Sequence, residues 1–112
     1  MNSLRISFSV LGLSWLLVMA CNRPIAKFML DQDAVVAPSQ VNFTNQSEKA
    51  DYYEWDFGDG TQSTETSPSH RYIRSGSYQV ILKAMSGTKI KKTDRMVKVN
   101  PPVDKLVEIQ TT

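Results

Sequence analysis

Cysteine and histidine, on which covalent cross-linking and much catalysis draw, are scarce in this chain of 112 residues. It has one cysteine and one histidine. One cysteine leaves no internal disulfide framework, and one histidine removes the paired-imidazole patterns of most metal enzymes. No glycine-rich phosphate loop and no nucleophile elbow occurs. Charge of one sign is also lacking. Lys and Arg number 13 against 11 Asp and Glu, for a net charge of +2, and the signs are interspersed. That is no nucleic-acid footprint. The single long apolar run lies at the start, which excludes a multi-pass membrane protein. What is present after that run is aromatic: Phe28, Phe43, Tyr52, Tyr53, Trp55, Phe57, Tyr72 and Tyr78. A chain so supplied has the means to bury a core and is not intrinsically disordered.

The first 20 residues read as an export signal. Arg5 supplies a positive start, and Ile6 to Ala20 is uncharged and rich in Leu, Val, Phe and Trp. That run is shorter than the ~20 residues that span a bilayer, and a small residue ends it. Leu17-Val18-Met19-Ala20-Cys21 resembles a bacterial lipobox. The resemblance implies cleavage before Cys21 and acylation of its thiol, palmitate included. The mature chain would then be tethered to a membrane through acyl chains, since each buried CH₂ adds about 0.8 kcal/mol. Asn22 in place of an aspartate after the cysteine points to the outer membrane, on either its periplasmic or its surface face.

From Ile25 onward the patterning has period two. The segments Ile25–Leu30, Gln40–Thr44, Tyr53–Phe57, Ser77–Ala84 and Lys89–Val99 read as strands, with Tyr53, Trp55 and Phe57 on one face. Val97 and Val99 face inward on the last strand. Ile90 is out of phase with them, which predicts a bulge between. Lys89, Lys91, Lys92, Arg95 and Lys98 on that strand read as charges that resist edge-to-edge pairing. Gly58-Asp59-Gly60 signals a tight hairpin, Ser67-Pro68-Ser69 a break, and Asn100-Pro101-Pro102 the end of the domain. Closely spaced strands without a helical period predict an antiparallel, all-β sandwich of about seven strands. The expected organisation is a leader over residues 1–20, a domain over 21–101 and a tail over 102–112.

Trp55-Asp56-Phe57-Gly58-Asp59-Gly60 carries a resemblance. Together with Pro68, His70 and Tyr72, then Gly76 and Tyr78, it is similar to the PKD domain, an immunoglobulin-like module. The resemblance covers residues 24–101 and implies structural roles for these positions. From the residues themselves, Trp55 is a core filler. Asp56 points away from Trp55 and is free to bond turn amides, and Asp59 can hold its own turn.

Four functional readings follow. Asp56 and Asp59, with Asn45, Ser47 and Asp51, offer oxygen ligands for calcium, although turn-capping accounts for the same aspartates. A triad of Ser69, His70 and Asp56 is set aside, because adjacent strand residues face opposite ways. The outer-face residues Ile81 and Met85, with Tyr52, form a candidate contact patch. The resemblance implies adhesion-type contact, and the chain is expected to be no enzyme but an envelope-anchored contact or scaffolding module with a protein partner. The alternative is a surface glycan-binding protein serving polysaccharide uptake or degradation, for which Tyr52 is the only aromatic expected on an outer face near a loop.

Overall fold

The strands follow from alternation of apolar and polar side chains. In the computed structural model, which describes residues 23–103, eight strands occur in chain order. They are β1 (Phe28–Leu30), β2 (Ala34–Val36), β3 (Ser39–Asn45), β4 (Tyr52–Asp56), β5 (Gln62–Ser63), β6 (Ser69–Tyr72), β7 (Gly76–Ser86) and β8 (Lys89–Asn100). On β3 the alternation buries Val41 and Phe43 and leaves Gln40, Asn42 and Thr44 in solvent. On β7 it buries Val80, Leu82 and Ala84. The leader, Cys21 and the tail beyond Val103 lie outside the described residues.

Two sheets result, in the orders β1-β3-β6 and β2-β8-β7-β4-β5. Their inner faces meet over Phe28, Val35, Val41, Phe43, Trp55, Phe57, Tyr72, Val80, Leu82, Val97 and Val99. Aromatic edges and faces lock across this layer: Phe28 meets Trp55 edge-on at 5.0 Å between centroids, and Phe43 tilts against both Trp55 and Phe57. No described buried side-chain polar atom lacks a hydrogen-bond partner. The fold is the expected immunoglobulin-like sandwich.

Four details depart from the sequence reading. The first strand is shorter than Ile25–Leu30: Ile25 makes only an isolated bridge to Glu48, and β1 starts at Phe28. The count is eight because the chain crosses between sheets at Asp31–Asp33, so β2 joins β8 instead of continuing β1. That pairing is parallel, whereas the other strand pairs among the described residues are antiparallel. Finally, β8 has no bulge. Its register against β7 runs unbroken from Gly76↔Val99 to Ser86↔Lys89. Ile90 is out of phase with Val97 because it belongs to the opposite face, where it stands 58% exposed. The expectation of a bulge assumed that every apolar strand residue turns inward, and surfaces do not obey that rule.

The basic strand is partly covered. β2 pairs with β8 only at Lys98–Asn100. Along Lys89 to Met96 the far edge of β8 carries no strand among the described residues, and the lysines stand where charge opposes further pairing.

Candidate functional site

The Trp55–Gly60 segment closes the β4–β5 hairpin, and each of its polar side chains makes a hydrogen bond. Trp55, 1% exposed, sends its indole N–H to the Glu65 carbonyl at 2.9 Å. Asp56 turns outward and accepts the Gly58 amide at 2.9 Å. Gly58 has φ of 82°, and a Cβ there would stand 2.6 Å from the Gln79 carbonyl oxygen. Only glycine allows β7 to approach the turn so closely. Asp59 accepts the Thr61 amide at 3.1 Å as well as the Thr61 hydroxyl. Gly60 completes the turn at φ 90°.

The second oxygen of Asp59 meets His70 Nε2 at 2.6 Å. A ring nitrogen so close to a carboxylate carries the proton, so His70 donates here. The imidazole lies flat on Phe57, 4.2 Å between centroids and 2° from parallel, and edge-on to Tyr72. Burial pushes the Asp59 carboxyl up, but the bonds from Thr61 and His70 outweigh it and hold the group below the usual aspartate value. The Tyr72 hydroxyl donates to the Phe57 carbonyl at 2.9 Å, and burial drives its phenol well above its ordinary pKa. His70 is thus a packed and bonded histidine that ties β6 to the hairpin. Ser69 donates instead to Asn42 at 2.6 Å, on the other face of β6.

The remaining motif positions bridge neighbouring segments. Buried Pro68 accepts the Phe43 amide through its carbonyl at 2.9 Å. Tyr78 donates to the Arg74 carbonyl at 2.7 Å, and Gly76 lies under the Tyr78 ring. Asn45 is spent elsewhere: its side chain donates to Thr66 and accepts from Ser47. Asp51 accepts from Ser86. Among the described residues no group of three His, Cys, Asp or Glu side chains converges as a metal site.

One pair of residues escaped the sequence reading. Asp31 accepts both the backbone and the side-chain amide of Asn42, at 3.0 and 2.8 Å. The Asn42 amide is the main cause of its lowered pKa. This bond pins the crossing between β1 and β2, and no local motif announces a partner eleven residues away.

The outer face of the five-stranded sheet is ordered in rungs. Tyr52, Met85 and Ile90 stand side by side across β4, β7 and β8. The next rung is Glu54, Lys83 and Lys92, with Lys83 3.7 Å from Glu54. The third is Asp56, Ile81 and Asp94. A shallow groove of about 530 Å³ runs over the second and third rungs to Gln62 and Thr64. The expected patch is therefore split: Met85 joins Tyr52, Ile81 lies two rungs away among carboxylates, and Ile90 takes its place.

Comparison with known proteins gives a consistent result. The PKD-domain family model matches residues 21–100. The metalloprotease PrtV of Vibrio cholerae is 37% identical over 59 residues, 53% of this chain and 6% of that protein. Collagenase ColA of Clostridium perfringens is 37% identical over 54 residues, 44% of this chain and 5% of that protein. The chain thus spans only a small part of these relatives. Among solved structures, the PKD1 domain of Vibrio anguillarum Epp superposes with a TM-score of 0.60 at 34% identity, over 71% of this chain and 96% of that domain. A carbohydrate-binding module of the β-sandwich superfamily gives a TM-score of 0.65 at 29% identity, over 70% of this chain and 35% of that one. With the hairpin, the histidine and both sheets in place, the chain belongs to the PKD-domain family.

Proposed function

We propose that the chain is a lipid-anchored, non-catalytic contact module of the bacterial cell envelope, held in the outer membrane and joined to an envelope protein. The observation that carries this reading is a coincidence of positions. The PKD match begins at Cys21, the residue at which the lipobox would place the mature N-terminus. The geometry supports the non-catalytic part, because Asp56, Asp59, His70 and Tyr72 are each engaged in holding the fold. Cys21→Ser tests the anchor: palmitate labelling and membrane retention should both be lost, and unchanged retention would refute it. Crosslinking in native membranes followed by mass spectrometry tests the contact role, with a reproducible protein neighbour as the expected result.

The alternative reading, binding of a surface polysaccharide, has one observation in its favour. A solved neighbour is a carbohydrate-binding module, and the outer-face groove here offers carboxylate, amide and ammonium groups for hydroxyls. Retention on an immobilised polysaccharide that Glu54→Ala abolishes would select it over the protein-contact reading.

A further inference from the structure

The strand end carrying the β7–β8 turn is set apart by its place along the chain, because the described N-terminal segment meets it beside basic and exposed apolar side chains. Arg23 and Pro24 line a hollow there with Lys89, Ile90 and Lys91. The incoming chain is fixed to this end by its backbone. Ile25 and Glu48 exchange two hydrogen bonds of 2.9 Å, the Lys27 carbonyl accepts the Gln46 amide, and the Lys27 amide reaches Ser47. Pro24 is buried. Only Asn22 separates Cys21 from Arg23. Two residues span at most about 7 Å, so whatever holds Cys21 must lie within that reach of the hollow.

We propose that this end of the sandwich rests on the bilayer and docks on the phosphates of anionic lipid headgroups. The proposal rests on acylation of Cys21, and it adds the orientation of the domain and the surface that sets it. Acyl chains on Cys21 put Arg23 at the headgroup level. Arg23, Lys89 and Lys91 form no ion pair among the described residues. Lys27 and Lys49 lie within two residues of the Ile25–Glu48 bridge at this end, with the acids Glu48 and Asp51, the latter bonded to Met85 and Ser86. Each basic side chain near an anionic surface raises partitioning about fivefold. Beside these cations stand Ile90, 58% exposed, and Tyr52, 68% exposed, in one rung with Met85. An aromatic and an aliphatic side chain flanked by lysines is the composition that favours a membrane–water interface. At the opposite end, the Gly58–Gly60 hairpin packs against Gln79 well up β7 and so points away from the membrane.

The acylated protein tests this directly, because modification of Cys21 leaves a thiol introduced elsewhere as the sole labelling point. An environment-sensitive fluorophore is attached to Thr88→Cys in the turn, and in a second sample to Ile73→Cys, 72% exposed at the other end. Each is placed in phosphatidylglycerol–phosphatidylcholine vesicles and in phosphatidylcholine vesicles. In the anionic vesicles the Thr88 label should be at least threefold less accessible to iodide than the Ile73 label. In neutral vesicles, and in Lys89→Gln/Lys91→Gln, the two labels should become equal while the protein still floats with the lipid. Equal quenching in anionic vesicles overturns the proposal, and so does protection that is the same in neutral ones. Failure of the parent protein to take up palmitate and float with lipid would instead refute the anchor, a separate and recognisable outcome.

Discussion

The two ends of β4 are built on opposite terms. At its far end the chain turns through Gly58–Gly60, where Asp56, Asp59, Thr61, His70 and Tyr72 all find partners inside the molecule. At its near end stand Tyr52 and, one and two strands over, Met85 and Ile90, beside Lys89 and Lys91, which form no ion pair among the described residues. A region whose polar groups are internally satisfied has nothing left to offer a ligand. A region that leaves both charge and apolar area in solvent does. In this protein the recognisable motif marks the first kind of region, and the candidate contact surface is the second.

Five substitutions or pairs probe that contrast. Trp55→Ala should cost about 3–5 kcal/mol in denaturant unfolding through the cavity it leaves, whereas Tyr52→Ala, on the same strand, should stay within about 0.5 kcal/mol. A mild effect at Trp55 would remove the contrast altogether. Next come the two turns. Gly58→Ala meets both a left-handed backbone and the Gln79 carbonyl and should cost about 2–4 kcal/mol. Gly87→Ala at φ 59° has open space and should cost about 1 kcal/mol. Tyr72→Phe strands the buried Phe57 carbonyl and should lose about 1–3 kcal/mol. It should also flatten the alkaline limb of stability. The raised folded pKa means that above about pH 10 the unfolded phenol ionises first, so wild-type stability falls as pH rises.

Asp59→Asn should cost about 1 kcal/mol at neutral pH. Because the folded carboxyl titrates below its ordinary 3.8, its contribution is complete above that value. It fades as pH falls through the lower folded pKa, so the two proteins should converge in acid titrations. Smallest of all, Lys89→Gln/Lys91→Gln should leave the melting temperature within about 1 °C. A larger drop would mean that these lysines hold the fold and are not free for a surface.

Much of this was legible in the residues. Trp55, Phe57, Val41 and Phe43 announced their burial by alternation, and Gly58-Asp59-Gly60 announced its turn, because both signals are local. Ile90 was misread for the same reason that alternation works. Phase tells which residues share a face, not which face is wet. Asp31 was missed because its hydrogen bond to Asn42 depends on how β1 leaves the smaller sheet for the larger one.

By itself, then, the sequence determined most of the longer strands, the hairpin, the family and the roles of Trp55 and Asp59, since period-two burial and glycine-dependent turns are properties of a few neighbouring residues. Only the tertiary structure decided that β8 runs without a bulge and that Ile90 stands beside Met85 and Tyr52. It also decided that His70 closes on Asp59 and that Arg23 meets Lys89 and Lys91. Each of these joins residues from separate segments of the chain, and the register that brings them together is set by the packing of the whole sandwich.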